Sequence, residues 1–247
     1  MPSLTPPAET VPYGDHPDQW IRIRRPASAS RGVVAVIHGG FWKVAYGAEY
    51  AEPLSIDLAQ RGWTSVTLEY RRVGGGGGFP ATLDDVAAGL DALAVTDLDL
   101  ATLAVVGHSA GGHLAAWSAS RTRLSRWSGG VEVTHVVSQA GVLDLAAAVR
   151  DGLGSDAAAR FLGSEPGAID LADPTVHLPL DVPLWALHAR DDDEVPFSQS
   201  QEYVSRARAS GARAELVEVT GGHYGLIDVS SPAWAATLAV LEGIAQT

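Results

Sequence analysis

Residues 103–115, LAVVGHSAGGHLA, place one serine among glycines where a strand pattern gives way to a helix pattern. Leu103–Val106 form an apolar run typical of a short buried strand, and the apolar residues after His113 are typical of a helix. Gly107–Gly111 fit the pattern Gly-x-Ser-x-Gly, in which Ser109 occupies a sharp strand-to-helix turn with its hydroxyl exposed. The alternative interpretation is a glycine-rich turn without a catalytic role.

Strand and helix patterns alternate along the rest of the chain, which predicts an α/β fold with a mostly parallel sheet of about eight strands and helices on both faces. We expect one domain over residues 1–247, since 46% of the residues are hydrophobic and supply one sizeable core. Residues 1–17 are rich in proline and polar residues and are predicted to be a surface leader. In residues 142–180, Asp, Gly and Pro interrupt short apolar pieces, and a small cap is expected there.

Composition excludes several classes of function. A net charge of −12 argues against nucleic acid and anionic membranes as partners. The absence of cysteine removes disulfides, thiolate metal sites and a cysteine nucleophile. No signal peptide is apparent at the N-terminus, and no run approaches the about 18 apolar residues of a membrane span. We therefore expect a cytoplasmic protein with a small-molecule partner; its oligomeric state is left open.

A second glycine pair directly follows another apolar strand, in the stretch VIHGGFWK. Paired glycines allow a tight turn that directs backbone N–H groups into a site, as a tetrahedral intermediate requires where its oxyanion forms. The N–H groups of Gly40 and Phe41, together with that of Ala110, are the candidate oxyanion hole. The alternative is a glycine turn whose histidine, His38, is structural.

Candidates for an acid and a base follow the last two predicted strands. The stretch LHARDDDEVP offers Asp191, Asp192 and Asp193, and VTGGHYGLID carries His223 in a glycine-rich loop. A serine needs a histidine to take its proton and a carboxylate to hold the correct imidazole tautomer. The chain order serine, acid, histidine is that of α/β-hydrolases. The residues alone leave open which aspartate acts.

HGGFW, GHSAGGHLA, HARDDDEVP and GGHYGLID are similar to motifs of small esterases and kynurenine formamidases (arylformamidases) of the α/β-hydrolase superfamily. The resemblance implies an acid loop of the form His-Gly-x-x-Asp-x-x-Val-Pro, which selects Asp192 as the acid. Ala189 replaces the usual glycine of that loop. Phe41 stands where kynurenine formamidases commonly carry tyrosine.

The expected function is that of a serine-dependent carboxylic ester hydrolase (carboxylesterase) that acts on small acyl esters through a Ser109–His223–Asp192 triad and an acyl-enzyme. No cofactor is expected, and no metal, because no His-Glu-x-x-His or similar ligand spacing occurs. Three alternatives use the same fold: an arylformamidase acting on N-formylkynurenine-type amides, an exopeptidase of the prolyl-oligopeptidase type, and a non-catalytic binding protein.

Apolar side chains near these motifs are candidates for substrate binding. Phe41 and Trp42 follow the glycine pair, and an acyl or alcohol pocket formed with residues of the predicted cap is one interpretation. The alternative is that most of these side chains belong to the core. The cap residues concerned are Leu145, Leu153, Phe161 and Leu162.

Overall fold

One eight-stranded sheet runs through the computed structural model, which describes residues 7–245. The strands lie in the order β1-β2-β4-β3-β5-β6-β7-β8. Their bounds are β1 Ala8–Pro12, β2 Trp20–Arg24, β3 Val33–Ile37, β4 Thr64–Leu68, β5 Leu103–His108, β6 His135–Gln139, β7 Leu184–Ala189 and β8 Ala214–Val219. The helices are α1 Glu52–Gln60, α2 Ala81–Asp91, α3 Ala110–Ser118, α4 Leu145–Arg150, α5 Leu153–Leu162, α6 Ala168–Ala172, α7 Ser198–Ala209 and α8 Pro232–Ile244.

All neighbouring strands from β4 to β8 pair in parallel, while β1 and β2 are antiparallel to their neighbours. The carboxyl ends of the parallel strands therefore meet at one edge of the sheet, where α/β proteins place their sites. The loops after β3, β5, β7 and β8 carry the four predicted motifs. The predicted fold class is confirmed.

The sheet separates two apolar layers, because successive side chains of a strand point to opposite faces. In β3, Val33, Ala35 and Ile37 belong to the layer that contains α2, α3 and α7, whereas Val34 and Val36 belong to the layer that contains α1 and α8. All five residues of β3 are buried. Burial on both faces explains why this strand is a continuous apolar run, four of its five residues β-branched, rather than an alternating one.

Five residues of the predicted surface leader, Ala8–Pro12, form an edge strand. Residues 1–6 of the leader lie outside the described part of the chain. Ala8–Pro12 form β1, which pairs antiparallel with β2 and is mostly exposed to solvent. Within residues 7–245, no helix is long and apolar enough to cross a membrane.

The segment predicted to be a cap folds as α4, α5 and α6 between β6 and β7. Leu145, Phe161 and Leu162 are buried in the core, and Leu153 packs against it. These side chains therefore belong to the core, in agreement with the alternative interpretation given above. The start of α5 is not helical: Gly154, Ser155 and Asp156 have positive φ.

Candidate active site

Ser109 occupies the turn between β5 and α3 with φ 56° and ψ −118°, a conformation that is costly for a residue with a side chain. Glycines make the turn sterically feasible. A Cβ at Gly107 would lie 2.0 Å from the Gly111 carbonyl oxygen, and one at Gly111 would lie 2.2 Å from the Ile37 oxygen. The turn is tied to β6, because the Ser109 N–H donates to the Gln139 carbonyl at 2.8 Å. The strand-to-helix turn is present at the position that the sequence predicts.

The loop after β3 passes directly against this turn. A Cβ at Gly39 would fall 2.7 Å from the His108 oxygen and 3.0 Å from Ser109 Cβ, so only glycine fits. Gly40 and Phe41 follow with positive φ, at 108° and 56°. Within residues 7–245, neither of their N–H groups nor that of Ala110 donates a hydrogen bond. These three donors are available to an anionic oxygen.

Buried polar groups hold this loop from below. The Tyr70 hydroxyl donates to the His38 carbonyl at 2.9 Å, and the two rings are stacked with centroids 4.4 Å apart. His38 Nε2 lies 2.9 Å from Glu69 Oε1, while Glu69 Oε2 accepts the Ala48 N–H at 2.8 Å. Arg72 in turn forms an ion pair with Glu69. His38 is thus a bracing residue beneath the glycine pair.

The loops after β7 and β8 bring an acid to a histidine. Asp192 Oδ2 lies 2.8 Å from His223 Nδ1, and Asp192 Oδ1 accepts the N–H groups of Glu194 and Val195 at 2.9 and 2.8 Å. Burial acts to raise the pKa of Asp192, but hydrogen bonds from His188, His223 and Val195 outweigh it and hold the pKa well below its usual range. An ionised Asp192 fixes the proton of neutral His223 on Nδ1, which leaves Nε2 as an acceptor.

Neither of the two neighbouring aspartates forms a hydrogen bond or ion pair with the His223 ring. Asp191 Oδ1 accepts the Gly222 N–H at 3.3 Å, and Asp193 is exposed. The three aspartates lie in the turn that follows β7, where the Asp192 N–H donates to the Ala189 carbonyl at 3.3 Å.

A cavity of about 280 Å³ opens at the carboxyl ends of the parallel strands. Its wall includes Ser109, His223, Gly40 and Phe41. Trp42 lies elsewhere: it is 1% exposed, its Nε1 donates to His113 Nδ1 at 3.2 Å, and its ring stacks on Phe161. Sequence reasoning gave no substrate-binding role to the five other side chains of the wall, although three of them lie inside the quoted motifs. Those residues are Tyr46, Tyr50, His108, Tyr224 and Ile227.

His108 links the serine turn to the histidine loop. Its Nε2 donates to the His223 carbonyl at 2.9 Å, and the two rings have centroids 4.5 Å apart. Burial, followed by repulsion from His223, lowers the pKa of His108 to about 3. His108 is therefore neutral at neutral pH and positions the loop that carries His223. In the described part of the chain, no group of three or more His, Asp or Glu side chains is arranged to hold a metal.

Comparison with known proteins agrees with this architecture. The pattern that defines the BD-FAE family matches residues 21–206. A truncated carbohydrate esterase from gut microbiota superposes with a TM-score of 0.85 at 20% identity, covering 100% of this chain and 99% of that one. Esterase B from Lactobacillus rhamnosis superposes with a TM-score of 0.79 at 23% identity, over 96% of this chain and 84% of its own.

Two further relatives are much longer than this chain. A probable carboxylic ester hydrolase, LipM of Mycobacterium tuberculosis (strain ATCC 25618 / H37Rv), is 27% identical over 80% of this chain and 51% of its own. A probable isoprenylcysteine alpha-carbonyl methylesterase of Oryza sativa subsp. japonica is 26% identical over 86% of this chain and 56% of its own. The chain thus spans about half the length of these relatives. By its sequence pattern and its α/β-hydrolase fold, the chain belongs to the BD-FAE family.

Proposed function

We propose that the protein is a serine-dependent carboxylic ester hydrolase acting on small acyl esters. The observation that carries the proposal is the hydrogen bond between Asp192 and His223 at the wall of a cavity that also contains Ser109. Two names among its relatives support the reaction class, namely a probable carboxylic ester hydrolase and a probable methylesterase.

In the proposed acylation, Ser109 Oγ attacks the ester carbonyl carbon while His223 Nε2 takes the hydroxyl proton. The carbonyl oxygen becomes an oxyanion, which accepts hydrogen bonds from the N–H groups of Gly40, Phe41 and Ala110. The bond from carbon to the alcohol oxygen then breaks, and His223 returns the proton to the departing alcohol. An acyl group remains on Ser109.

Deacylation repeats these steps with water as the nucleophile. His223 Nε2 takes a proton from water, the hydroxide attacks the acyl carbon, and the same three N–H groups hold the second oxyanion. Ser109 leaves with the proton from His223, and the carboxylic acid is released. Asp192 stays ionised throughout, since hydrogen bonds hold its pKa low, and it stabilises the imidazolium formed in each half-reaction.

The cavity wall bears on the class of substrate. Phe41, Tyr46 and Tyr50 contribute aromatic surface close to Ser109. A volume of about 280 Å³ is at the small end for a ligand pocket, which favours a short acyl group. Phe41 is retained in the proposal as a substrate contact. Trp42 is omitted, because its side chain is buried in the core.

Labelling with a fluorophosphonate, followed by assays on p-nitrophenyl acyl esters and N-formylkynurenine, tests the proposal. We expect the label on Ser109. Ser109→Ala should lower kcat by about 10⁴ or more, as loss of a triad nucleophile does. Ser205→Ala, which removes an exposed hydroxyl on α7, is the matched control and should retain activity.

Each alternative has its own outcome. An active Ser109→Ala protein with an unchanged circular dichroism spectrum would overturn the serine mechanism. Turnover of N-formylkynurenine with negligible ester hydrolysis would assign the protein to the arylformamidases. Release of amino acids or dipeptides from peptides would favour an exopeptidase. The absence of both labelling and turnover would favour a non-catalytic binding protein on the same fold.

A further inference from the structure

His188, near the end of β7, contacts the proposed catalytic acid. Its side chain is fully buried. Its Nε2 lies 3.2 Å from Asp192 Oδ2 and 2.9 Å from the Val195 carbonyl oxygen, and its Nδ1 lies 2.7 Å from Ser200 Oγ. Every polar atom of this imidazole therefore has a partner.

The partners fix where the proton of His188 resides. A carbonyl oxygen only accepts hydrogen bonds, so the contact with Val195 requires a proton on Nε2. The Ser200 hydroxyl then donates to Nδ1. The Nε2–H group thus donates to the Val195 oxygen, and Asp192 Oδ2, 3.2 Å from the same nitrogen, lies close to the positive end of this N–H.

Asp192 Oδ2 is the same oxygen that accepts the Nδ1–H of His223. A donor on a carboxylate oxygen withdraws electron density from it and weakens its attraction for a neighbouring imidazolium. We propose that His188 is a positioning residue which, through the shared Asp192 oxygen, restrains the affinity of His223 for a second proton. This proposal rests on the proposed function insofar as His223 is the general base.

Other ionisable groups surround the pair and stay in place in the variants below. The rings of His108 and Tyr224 lie against His223, with centroids 4.5 and 5.2 Å away. The acid loop adds Arg190, whose guanidinium lies over the ring of Phe197, itself in edge contact with His188. Among the loop carboxylates beside Asp192, Asp191 binds the Gly222 N–H. The others are Asp193 and Glu194.

Two polar substitutions distinguish the contact of Nε2 with Asp192 from the contact of Nδ1 with Ser200. His188→Gln places an amide N–H near the position of Nε2 and can keep the donor to Asp192. His188→Asn is shorter, so its amide can satisfy Ser200 but does not reach Asp192. His135→Gln is the matched control, because His135 lies at the amino end of β6, whereas the candidate site lies at the carboxyl ends of the strands.

The readout is the protonation of His223, followed by NMR of ¹⁵N-labelled imidazoles as pH is varied. For His188→Asn we expect the midpoint of that titration to rise by roughly half to one pH unit, since a carboxylate that loses a donor holds the imidazolium more tightly. His188→Gln and His135→Gln should each stay within roughly 0.2 unit of the unsubstituted protein. The pH at which kcat/KM falls to half its maximum on the acidic side should shift in the same direction and by a similar amount.

Several results would overturn the proposal. One is an unshifted midpoint in His188→Asn; another is an equal shift in His188→Asn and His188→Gln, which a merely structural role would produce. Should His188→Asn fail to fold, the unsubstituted protein still decides, because the proposal requires the ¹⁵N spectrum of His188 to show a proton on Nε2. Since His223 is titrated without turnover, a failure of the proposed esterase activity would be seen separately.

Discussion

The ring of Phe41 lies directly against the backbone of Gly154: a Cβ added at Gly154 would fall 2.4 Å from the ring atoms Cδ1 and Cε1. Lys43 reinforces the contact, since its Nζ donates to the Gly154 carbonyl at 3.2 Å and lies 4.9 Å from the centre of the Phe41 ring. The insert between β6 and β7 thus holds the residue whose N–H group is proposed to bind the oxyanion.

Gly154→Ala should therefore impair catalysis more than stability. We expect a loss of about tenfold or more in kcat, equal to about 1.4 kcal/mol in the barrier, as the added methyl group displaces Phe41. Gly167→Ala is the matched control: Gly167 is also left-handed, with φ 74° and ψ 8° against 62° and 36° for Gly154, and the nearest atom to its added Cβ is Asp170 Oδ2 at 3.8 Å. Both variants carry the strain of a left-handed alanine, about 1–2 kcal/mol.

Steady-state kinetics together with urea unfolding separate the two effects. Both variants should lose a similar free energy of unfolding from backbone strain, and only Gly154→Ala should lose kcat. Equal kcat for the two alanine variants would mean that the contact between the insert and Phe41 does not position the proposed oxyanion donors.

The sequence predicts the fold and the positions of the four loops because local patterns determine both. A buried parallel strand is a continuous apolar run, and Gly107 and Gly111 are required wherever a serine turn packs this closely against β3. The choice of Asp192 came from a family pattern. The structure adds its physical reason, which is that the carboxylate accepts two N–H groups of its own loop while it faces His223.

Contacts between distant parts of the chain were not predictable in this way. The stacking of Trp42 on Phe161 joins residues that no local pattern relates, so burial of Trp42 in the core could not be distinguished from a place in the pocket. The pairing of β1 with β2 depends likewise on tertiary context, since the sequence of residues 8–12 is neither apolar nor alternating. His188 is the first residue of the acid-loop pattern that selects Asp192, but that pattern does not indicate that its ring contacts the acid.

The three consecutive aspartates offer a second prediction. Asp192→Asn should lower kcat by about 10³ to 10⁴, because an amide in place of the carboxylate favours the wrong tautomer of His223. Asp191→Asn and Asp193→Asn should each cost less than about tenfold, or about 1.4 kcal/mol, since neither carboxylate is hydrogen-bonded to the His223 ring. All three are to be measured in one ester assay. A large loss in Asp191→Asn or Asp193→Asn with a small one in Asp192→Asn would show that another aspartate is the acid.

His113 makes stability depend on pH. Its Nδ1 accepts from Trp42 Nε1 and its Nε2 donates to the Ala172 carbonyl at 2.9 Å, an arrangement that suits the neutral ring. Burial lowers the pKa of His113 to about 4. An unfolded histidine binds its proton near pH 6.5, so this contribution to stability is complete above that pH and is lost as pH falls towards about 4.

Replacing this ring should flatten that dependence. Between pH 6.5 and 5, one histidine held neutral in the folded state costs about 1.6 kcal/mol of unfolding free energy. We expect His113→Gln, whose amide can still donate to the Ala172 carbonyl, to lose about that much less than the unsubstituted protein over the same interval. Urea unfolding at both pH values measures it. Identical losses in the two proteins would show that His113 is protonated in the folded state.

The cavity wall leads to a prediction about acyl length. A cavity of about 280 Å³ should accept short acyl chains, from acetyl to about hexanoyl. Octanoyl and decanoyl chains should have a kcat/KM at least about tenfold lower, because part of the chain stays outside.

Ile227 is an apolar residue of this wall that belongs to none of the proposed catalytic groups. Ile227→Ala should therefore enlarge the cavity and move the preferred p-nitrophenyl ester towards longer chains. Val229→Ala is the matched control, since Val229 is exposed and does not line the cavity. A preference for long chains in the unsubstituted protein, or the same shift in both alanine variants, would mean that the acyl group binds outside this cavity.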